Sequence, residues 1–136
     1  MTPQLTVAAP KGALWTGRIL SGLAIAFLAW DGVIKLIQHP MAVETTQKLG
    51  YASSVLPMLG ALEILSALLY VYPRTALLGA VLMTGYLGGA VATHVRAGSD
   101  TFSVIFPVII GALMWGGLWL RNHRLRALAP WQASDN

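Results

Sequence analysis

The sequence contains no cysteine. The chain itself therefore has no disulfide, no thiol nucleophile, no thiolate metal ligand and no dithiol redox pair. This absence leaves open redox chemistry that is carried out by a bound cofactor. A phosphate-binding glycine loop and a Ser–His–Asp arrangement are also missing, so the sequence indicates neither nucleotide binding nor triad hydrolysis. The three histidines, His39, His94 and His123, are far apart and match no metal-binding motif, so we predict no metal site.

Charged residues are scarce as well. They make up 10% of the 136 residues, and hydrophobic residues make up 56%. An ordinary soluble domain carries roughly 25% charged residues. So few charges cannot cover the surface of a chain in water, which predicts an integral membrane protein whose main partner is the lipid bilayer. The net charge is +4, and the basic residues behind it lie beside the apolar runs, where they set the topology. We therefore do not expect a nucleic-acid partner.

Four apolar runs are each long enough to cross the bilayer, since a helix of ~20 residues spans ~30 Å of hydrocarbon. They cover about residues 13–37, 55–72, 75–95 and 102–120. The first run is too long for the apolar part of a signal peptide, and we expect it to be retained. The prediction is an all-α, integral membrane four-helix bundle with up-down-up-down antiparallel topology. It comprises an N-terminal segment (1–12), a four-span domain (13–120) and a basic, then polar tail (121–136).

The basic residues predict the orientation of the bundle. Those expected on one side of the membrane are Lys11, Arg18, Arg74, Arg121, Arg124 and Arg126. The positive-inside rule places this side, and with it both termini, in the cytoplasm. Tyr70 and Tyr72 fall at the predicted inner border, where we expect them to lie as interfacial aromatics with Trp15 and Trp119.

Four ionisable residues interrupt the apolar spans: Asp31, Lys35, Glu63 and His94. A charge in the membrane costs about 3 kcal/mol on the insertion scale, so each needs a partner or a role. Asp31 and Lys35 share one helix face, either as a salt bridge with Lys35 reaching the headgroups or as a functional pair. Glu63 has no basic neighbour in sequence. It must be protonated or paired across helices, and we favour a functional role.

All four residues are expected in the outer half of the bilayer, where they would form one polar pocket if their helix faces meet. Tyr86 lies on the same predicted stripe as His94, and Arg96 follows it. We therefore predict Glu63, His94 and Asp31 as candidate catalytic residues, and Lys35, Tyr86 and Arg96 as candidate ligand-binding residues. Small residues along the stripes would allow close helix packing.

Four short segments occur in a distinctive order: 30–36 (WDGVIKL), 49–51 (LGY), 56–64 (LPMLGALEI) and 90–94 (AVATH). With this order and spacing, residues 17–121 resemble the DoxX-like family of small four-helix bacterial membrane proteins. The resemblance implies a multi-pass protein of the bacterial plasma membrane and carries the family's polar positions over to Lys35, Glu63 and His94. Relatives include a subunit of a thiosulfate–quinone oxidoreductase, and similar four-helix proteins bind quinones, sterols or other lipophilic molecules.

Several functions remain open. The favoured hypothesis is a membrane subunit that binds a quinone-like or other lipophilic small molecule and supports a redox reaction, together with a redox partner protein. A haem held by His94 is a weaker candidate cofactor. The alternatives are a stand-alone enzyme that isomerises a lipophilic substrate by proton transfer, a small proton-coupled transporter that acts as a homo-oligomer, and a structural protein whose polar groups serve only bundle specificity.

Overall fold

Helices make up all the regular structure in the computed structural model, which describes residues 11–128. The elements are α1 (Lys11–Leu36), α2 (Pro40–Lys48), a 3-10 turn (Ser53–Val55), α3 (Leu56–Val71), α4 (Ala76–Ala97), α5 (Thr101–Arg121) and α6 (His123–Ala127). Four helices are long and apolar enough to cross a membrane: α1, α3 with its preceding 3-10 turn, α4 and α5. The predicted all-α class with four spanning helices is thus confirmed. Residues 1–10 and 129–136, which hold most of the predicted N-terminal segment and tail, lie outside the described residues.

The four long helices form a closed ring in which each packs against two others. α1 lies beside α3 and α5, and α4 completes the ring between them. Large apolar side chains cover the outside, among them Leu23, Leu68 and Val108, each more than half exposed. Such a surface suits hydrocarbon and not water. We call the end of the ring that carries α2 and the α4–α5 turn the α2 end.

Helix boundaries follow local chemistry. Pro40 occupies the first turn of α2, where no backbone N–H is needed. Gly98 ends α4 with φ +67°, a left-handed conformation that glycine adopts without strain. Two residues later the Asp100 carboxylate accepts from the Ser103 backbone N–H and caps α5. A hydrogen bond from the Ser103 hydroxyl, together with the one from the Ser103 backbone N–H, holds the pKa of Asp100 below its ordinary value. The turn between α4 and α5 is therefore set by the left-handed Gly98 and the capping Asp100.

Glycines set the distances between the helices. A Cβ on Gly60 would lie 2.7 Å from the Gly32 carbonyl oxygen, so α1 and α3 touch there through their backbones. A Cβ on Gly79 would lie 2.6 Å from the Cα of Tyr70, and α3 and α4 are equally close. Close backbone approach at small residues is the usual way in which helices associate in lipid, where no hydrophobic effect drives them together.

Tyr70 is part of the core. Its side chain is 1% exposed. Its hydroxyl donates to the Met114 carbonyl at 2.7 Å and lies 2.7 Å from the Ser21 hydroxyl, which is left to donate to it. The ring thereby joins α1, α3 and α5. Tyr70 lies one residue before the end of α3, where the sequence predicts the inner border, and its side chain faces the neighbouring helices. Its position at the membrane border stays a prediction.

Replacing Gly79 by alanine tests the close approach of α3 and α4. The added methyl group must displace the backbone of Tyr70, and overpacking of this kind costs about 1–3 kcal/mol. We expect Gly79→Ala to lower the free energy of unfolding, measured by denaturant titration in detergent. Gly88→Ala is the matched control on the same helix, since its Cβ would meet nothing within 4 Å. Equal stability of the two variants would contradict the packing described here.

Candidate functional site

Lys35 is the centre of a group of polar residues inside the bundle. Its ammonium Nζ donates to Asp31 Oδ2 at 2.5 Å, to Glu63 Oε2 at 2.9 Å and to the Tyr86 hydroxyl at 2.9 Å. The Tyr86 hydroxyl in turn donates to Glu63 Oε2 at 3.1 Å. A lysine has three N–H groups, and each has an acceptor here. We call Asp31, Lys35, Glu63 and Tyr86 the Lys35 cluster.

Three helices bring this cluster together. Asp31 and Lys35 are one turn apart on α1, so both side chains leave the helix on one face. Gly60 lies against the Lys35 Cβ, and its lack of a side chain lets α3 approach α1 closely. Glu63 follows one turn later on α3 and points at the Lys35 ammonium, while α4 supplies Tyr86 from the opposite side. The cluster thus depends on the same glycine contact that holds α1 and α3 together.

The cluster has more acid than base. One ammonium faces two carboxylates, so the cluster holds either one net negative charge or one additional proton. Water screens it little, since the side chain of Glu63 is 1% exposed and those of Lys35 and Asp31 are 17% and 23% exposed. A buried charge persists only when it is paired and hydrogen-bonded. The arrangement can therefore hold and exchange a proton, or offer acceptor oxygens to a ligand.

A cavity of about 500 Å³ opens at the cluster, in the half of the bundle towards the α2 end. Small-molecule sites commonly measure ~300–1,000 Å³. The apolar part of its wall includes Phe27, Trp30, Ile34, Leu59, Leu87, Phe106 and Ile110. Gly85 and Gly89 also line it and leave the α4 side open, since a Cβ on either would meet nothing within 4 Å. The cavity thus combines a wide apolar wall with one charged, hydrogen-bonding patch.

The structure brings five of the six predicted site residues to this cavity. Asp31, Lys35, Glu63 and Tyr86 form the cluster, and His94 lines the same wall. His94 Nδ1 lies 3.0 Å from the Ser99 hydroxyl, and no hydrogen bond joins His94 to the cluster among the described residues. Within residues 11–128, no group of His, Asp or Glu side chains is arranged to hold a metal ion. The cavity therefore has a titratable histidine close to, but separate from, the lysine-centred network.

Arg96 lies elsewhere. Its Nη2 donates to the Leu49 carbonyl at 2.7 Å, and the side chain is exposed outside the cavity wall. It fastens the segment after α2 to the end of α4. The structure therefore gives Arg96 a positioning role at the rim and no contact with the space that a ligand would fill.

Sequence reasoning missed the contribution of α2. Thr45 and Thr46 line the cavity, and Ala42 and Thr46 are the buried positions of this short helix. Tyr51 follows α2 and meets Thr93 of α4 through a hydroxyl contact of 3.0 Å. The spacing of Ala42 and Thr46, one turn apart, was the available signal for an inward face. It did not show that this face covers a cavity.

A family model described as the DoxX-like family matches residues 19–117, a range that includes the whole Lys35 cluster and His94. No curated protein matches the chain, and no solved structure does.

A charge-deletion cycle tests the Lys35 cluster. Lys35→Met leaves two carboxylates without their cation, and breaking a buried pair in this way typically costs about 3–5 kcal/mol. Lys35→Met combined with Glu63→Gln removes both charges of the buried pair and should recover much of that loss. The measurement is the free energy of unfolding in detergent for the wild type, both single variants and the double variant.

The control is the exposed pair of Lys48 with Glu44, whose side chains are 74% and 69% exposed. Lys48→Met should change the free energy of unfolding by less than about 1 kcal/mol. If Lys35→Met costs no more than Lys48→Met, the cluster is not an energetically coupled buried network.

Proposed function

This chain belongs to the DoxX-like family, and we propose that it is a membrane subunit that binds a quinone-like or other lipophilic small molecule in the cavity beside the Lys35 cluster, in support of a redox reaction. That it is an integral membrane protein follows from the family and from its four apolar helices. The ligand, its class and the redox role are the proposal.

One observation carries the proposal: a mainly apolar cavity of about 500 Å³ has its charged groups gathered on one patch of the wall. Ligand sites of this kind use the apolar wall for affinity and a few polar groups for orientation. A lipophilic molecule with a polar ring would place its ring oxygens at the cluster and its apolar part against Phe27, Leu59 and Phe106. A small hydrophilic solute would leave most of this wall without a partner.

The cluster supplies the groups that a quinone-like head requires. Ring carbonyl oxygens accept hydrogen bonds, and the donors within the Lys35 cluster are the Lys35 ammonium and the Tyr86 hydroxyl. Either donor would turn from its present acceptor to the ligand. Reduction of such a ring to its dihydroxy form takes up two electrons and two protons. The protons would pass through Glu63 and Asp31, and the electrons would come from a partner protein, which is itself oxidised.

A second function is favoured by the hydroxyl of Tyr86. It accepts from Lys35 and donates to Glu63 beside the cavity, so a base and an acid are already connected. Such a pair suits proton transfer on a lipophilic substrate, which would make the chain a stand-alone isomerase. This activity needs no electron acceptor and depends on the Glu63 carboxylate. Turnover by the wild type without an acceptor, and its loss in Glu63→Gln, would separate it from the redox role.

The cellular location of the protein is also a proposal. We propose the bacterial plasma membrane, with both termini in the cytoplasm. Arg18, Arg74 and Arg121 lie at the end of the bundle opposite the α2 end, and the positive-inside rule supports a cytoplasmic position for that end. The cavity would then lie in the outer half of the bilayer.

Identification of the bound molecule tests the proposed function. The full chain is purified in mild detergent, its ultraviolet–visible spectrum is recorded, and the extract is analysed by mass spectrometry. We expect a stoichiometric lipophile with a reducible ring. A bound lipophile without such a ring would favour the isomerase, whereas ordinary phospholipid alone would count against both functions.

Two glycines on α4 provide matched variants for the same measurement. Gly89→Leu projects a side chain into the cavity and should abolish co-purification of the lipophile, because Gly89 lines the wall and has open space beside it. Gly88→Leu adds the same side chain at an exposed position that does not line the cavity and should leave the bound amount unchanged. Equal loss in both variants would show that the cavity is not the binding site.

A further inference from the structure

A second recess lies at the opposite end of the bundle from the cavity. It is a groove of about 180 Å³ formed by α1, α3 and α5. Its polar lining includes Arg18 and Arg121, and its apolar lining includes Gly22, Ile25 and Val71. None of these residues touches the Lys35 cluster or belongs to the proposed ligand cavity, so the groove needs an explanation of its own.

Arg121 is fixed in position within this groove. Its Nε donates to the Gly117 carbonyl at 3.3 Å, and its guanidinium carbon lies 5.3 Å from the centre of the Tyr70 ring. Tyr70 is itself held by Ser21 and Met114. These contacts hold the guanidinium group against a rigid part of the core, so little side-chain freedom remains to be lost when it binds a ligand.

One nitrogen of that guanidinium group has no acceptor. Arg121 Nη2 is buried and makes no hydrogen bond to any residue in the described range 11–128. A buried charged donor without an acceptor is costly, and each such group in a folded protein needs a partner from elsewhere. Since Arg121 lines the groove, an acceptor oxygen that enters the groove is the candidate partner for its guanidinium group.

The charge around the groove identifies the kind of acceptor. Arg18 lines the same recess. The acidic residues of the described range are Asp31, Glu44, Glu63 and Asp100, all in the half of the bundle towards the α2 end. No carboxylate in that range neutralises the two arginines. The acceptor expected beside them is therefore anionic, and phosphate oxygens match the guanidinium geometry.

We infer that this groove binds the phosphodiester headgroup of an anionic phospholipid. Arg121 Nη2 and the Arg18 guanidinium group donate to the phosphate oxygens, and one acyl chain lies along Gly22 and Ile25. Two features favour a lipid over free phosphate. The groove opens on the lipid-facing surface of the bundle, and its remaining lining is apolar. Gly22 leaves room for the chain, because a Cβ there would meet nothing within 4 Å.

An anionic headgroup is favoured over a zwitterionic one. The choline group of a zwitterionic lipid would bring a third positive charge to the two arginines, whereas a glycerol headgroup brings none. Arg18 and Arg121 also fall just outside the residues 19–117 that the family model matches, so the inference does not rest on the family or on the proposed ligand.

Native mass spectrometry of the full chain tests the inference, with phosphatidylglycerol, phosphatidylcholine and inorganic phosphate as separate probes. We expect phosphatidylglycerol to bind to the wild type and its affinity to fall about fivefold or more in Arg121→Gln and in Arg18→Gln, as for the loss of one basic residue at a membrane surface. Arg124→Gln is the matched control, since Arg124 is exposed near the same end and does not line the groove. It should leave the affinity unchanged.

Further variants keep the test decisive. If Arg121→Gln does not fold, Arg121→Lys retains the charge and should still bind phosphatidylglycerol more weakly than the wild type, because an ammonium lacks the guanidinium fork. Equal binding of both lipids, equal losses in Arg121→Gln and Arg124→Gln, or tight binding of inorganic phosphate alone would overturn the inference. Stronger lipid binding by Asp135→Asn would also overturn it, because this result would mean that the Asp135 carboxylate is the partner of Arg121.

Discussion

The ion pair between Lys35 and Glu63 is the interaction on which the arrangement of the spanning helices depends. It joins α1 to α3 across apolar surroundings, and Tyr86 extends it to α4. Neither charge can be left alone in a membrane, so each helix that carries one must present it to the other. This requirement fixes how α1, α3 and α4 are each rotated about their own axes. Without it, several faces of each apolar helix would pack against the neighbouring helices with nearly equal energy.

Glycine makes this pairing possible and also limits it. Gly60 lets α3 approach the backbone of α1 next to Lys35, and Gly79 does the same for α4 beside Tyr70. By contrast, Gly85 and Gly89 have no close neighbour and leave an open wall. The same residue type therefore closes two helix contacts, at Gly60 and Gly79, and keeps the cavity open at Gly85 and Gly89. The difference lies in which way each glycine faces and not in its chemistry.

The two ends of the bundle have opposite electrostatic character. Towards the α2 end, one ammonium faces two carboxylates beside a large apolar cavity, which suits a lipophile that exchanges protons. At the other end, Arg18 and Arg121 face a shallow groove with no carboxylate from residues 11–128. The proposed ligand and the proposed lipid headgroup would therefore occupy separate positions. The same polarity supports the proposed orientation under the positive-inside rule.

The sequence alone determined that the chain is an all-α membrane protein with four spanning helices, because length and apolar composition decide what crosses a bilayer. It also singled out Asp31, Lys35 and Glu63, because a charged residue stands out within a long apolar run. The tertiary structure decided which way each helix faces, which the sequence pattern does not show. Lys35 turns inward to Glu63 and does not reach for the headgroups, Tyr70 packs in the core, and Arg96 lies outside the cavity. Each of these depends on which face of a helix meets its neighbour, and in an apolar helix with glycines on several faces that choice is made only by packing.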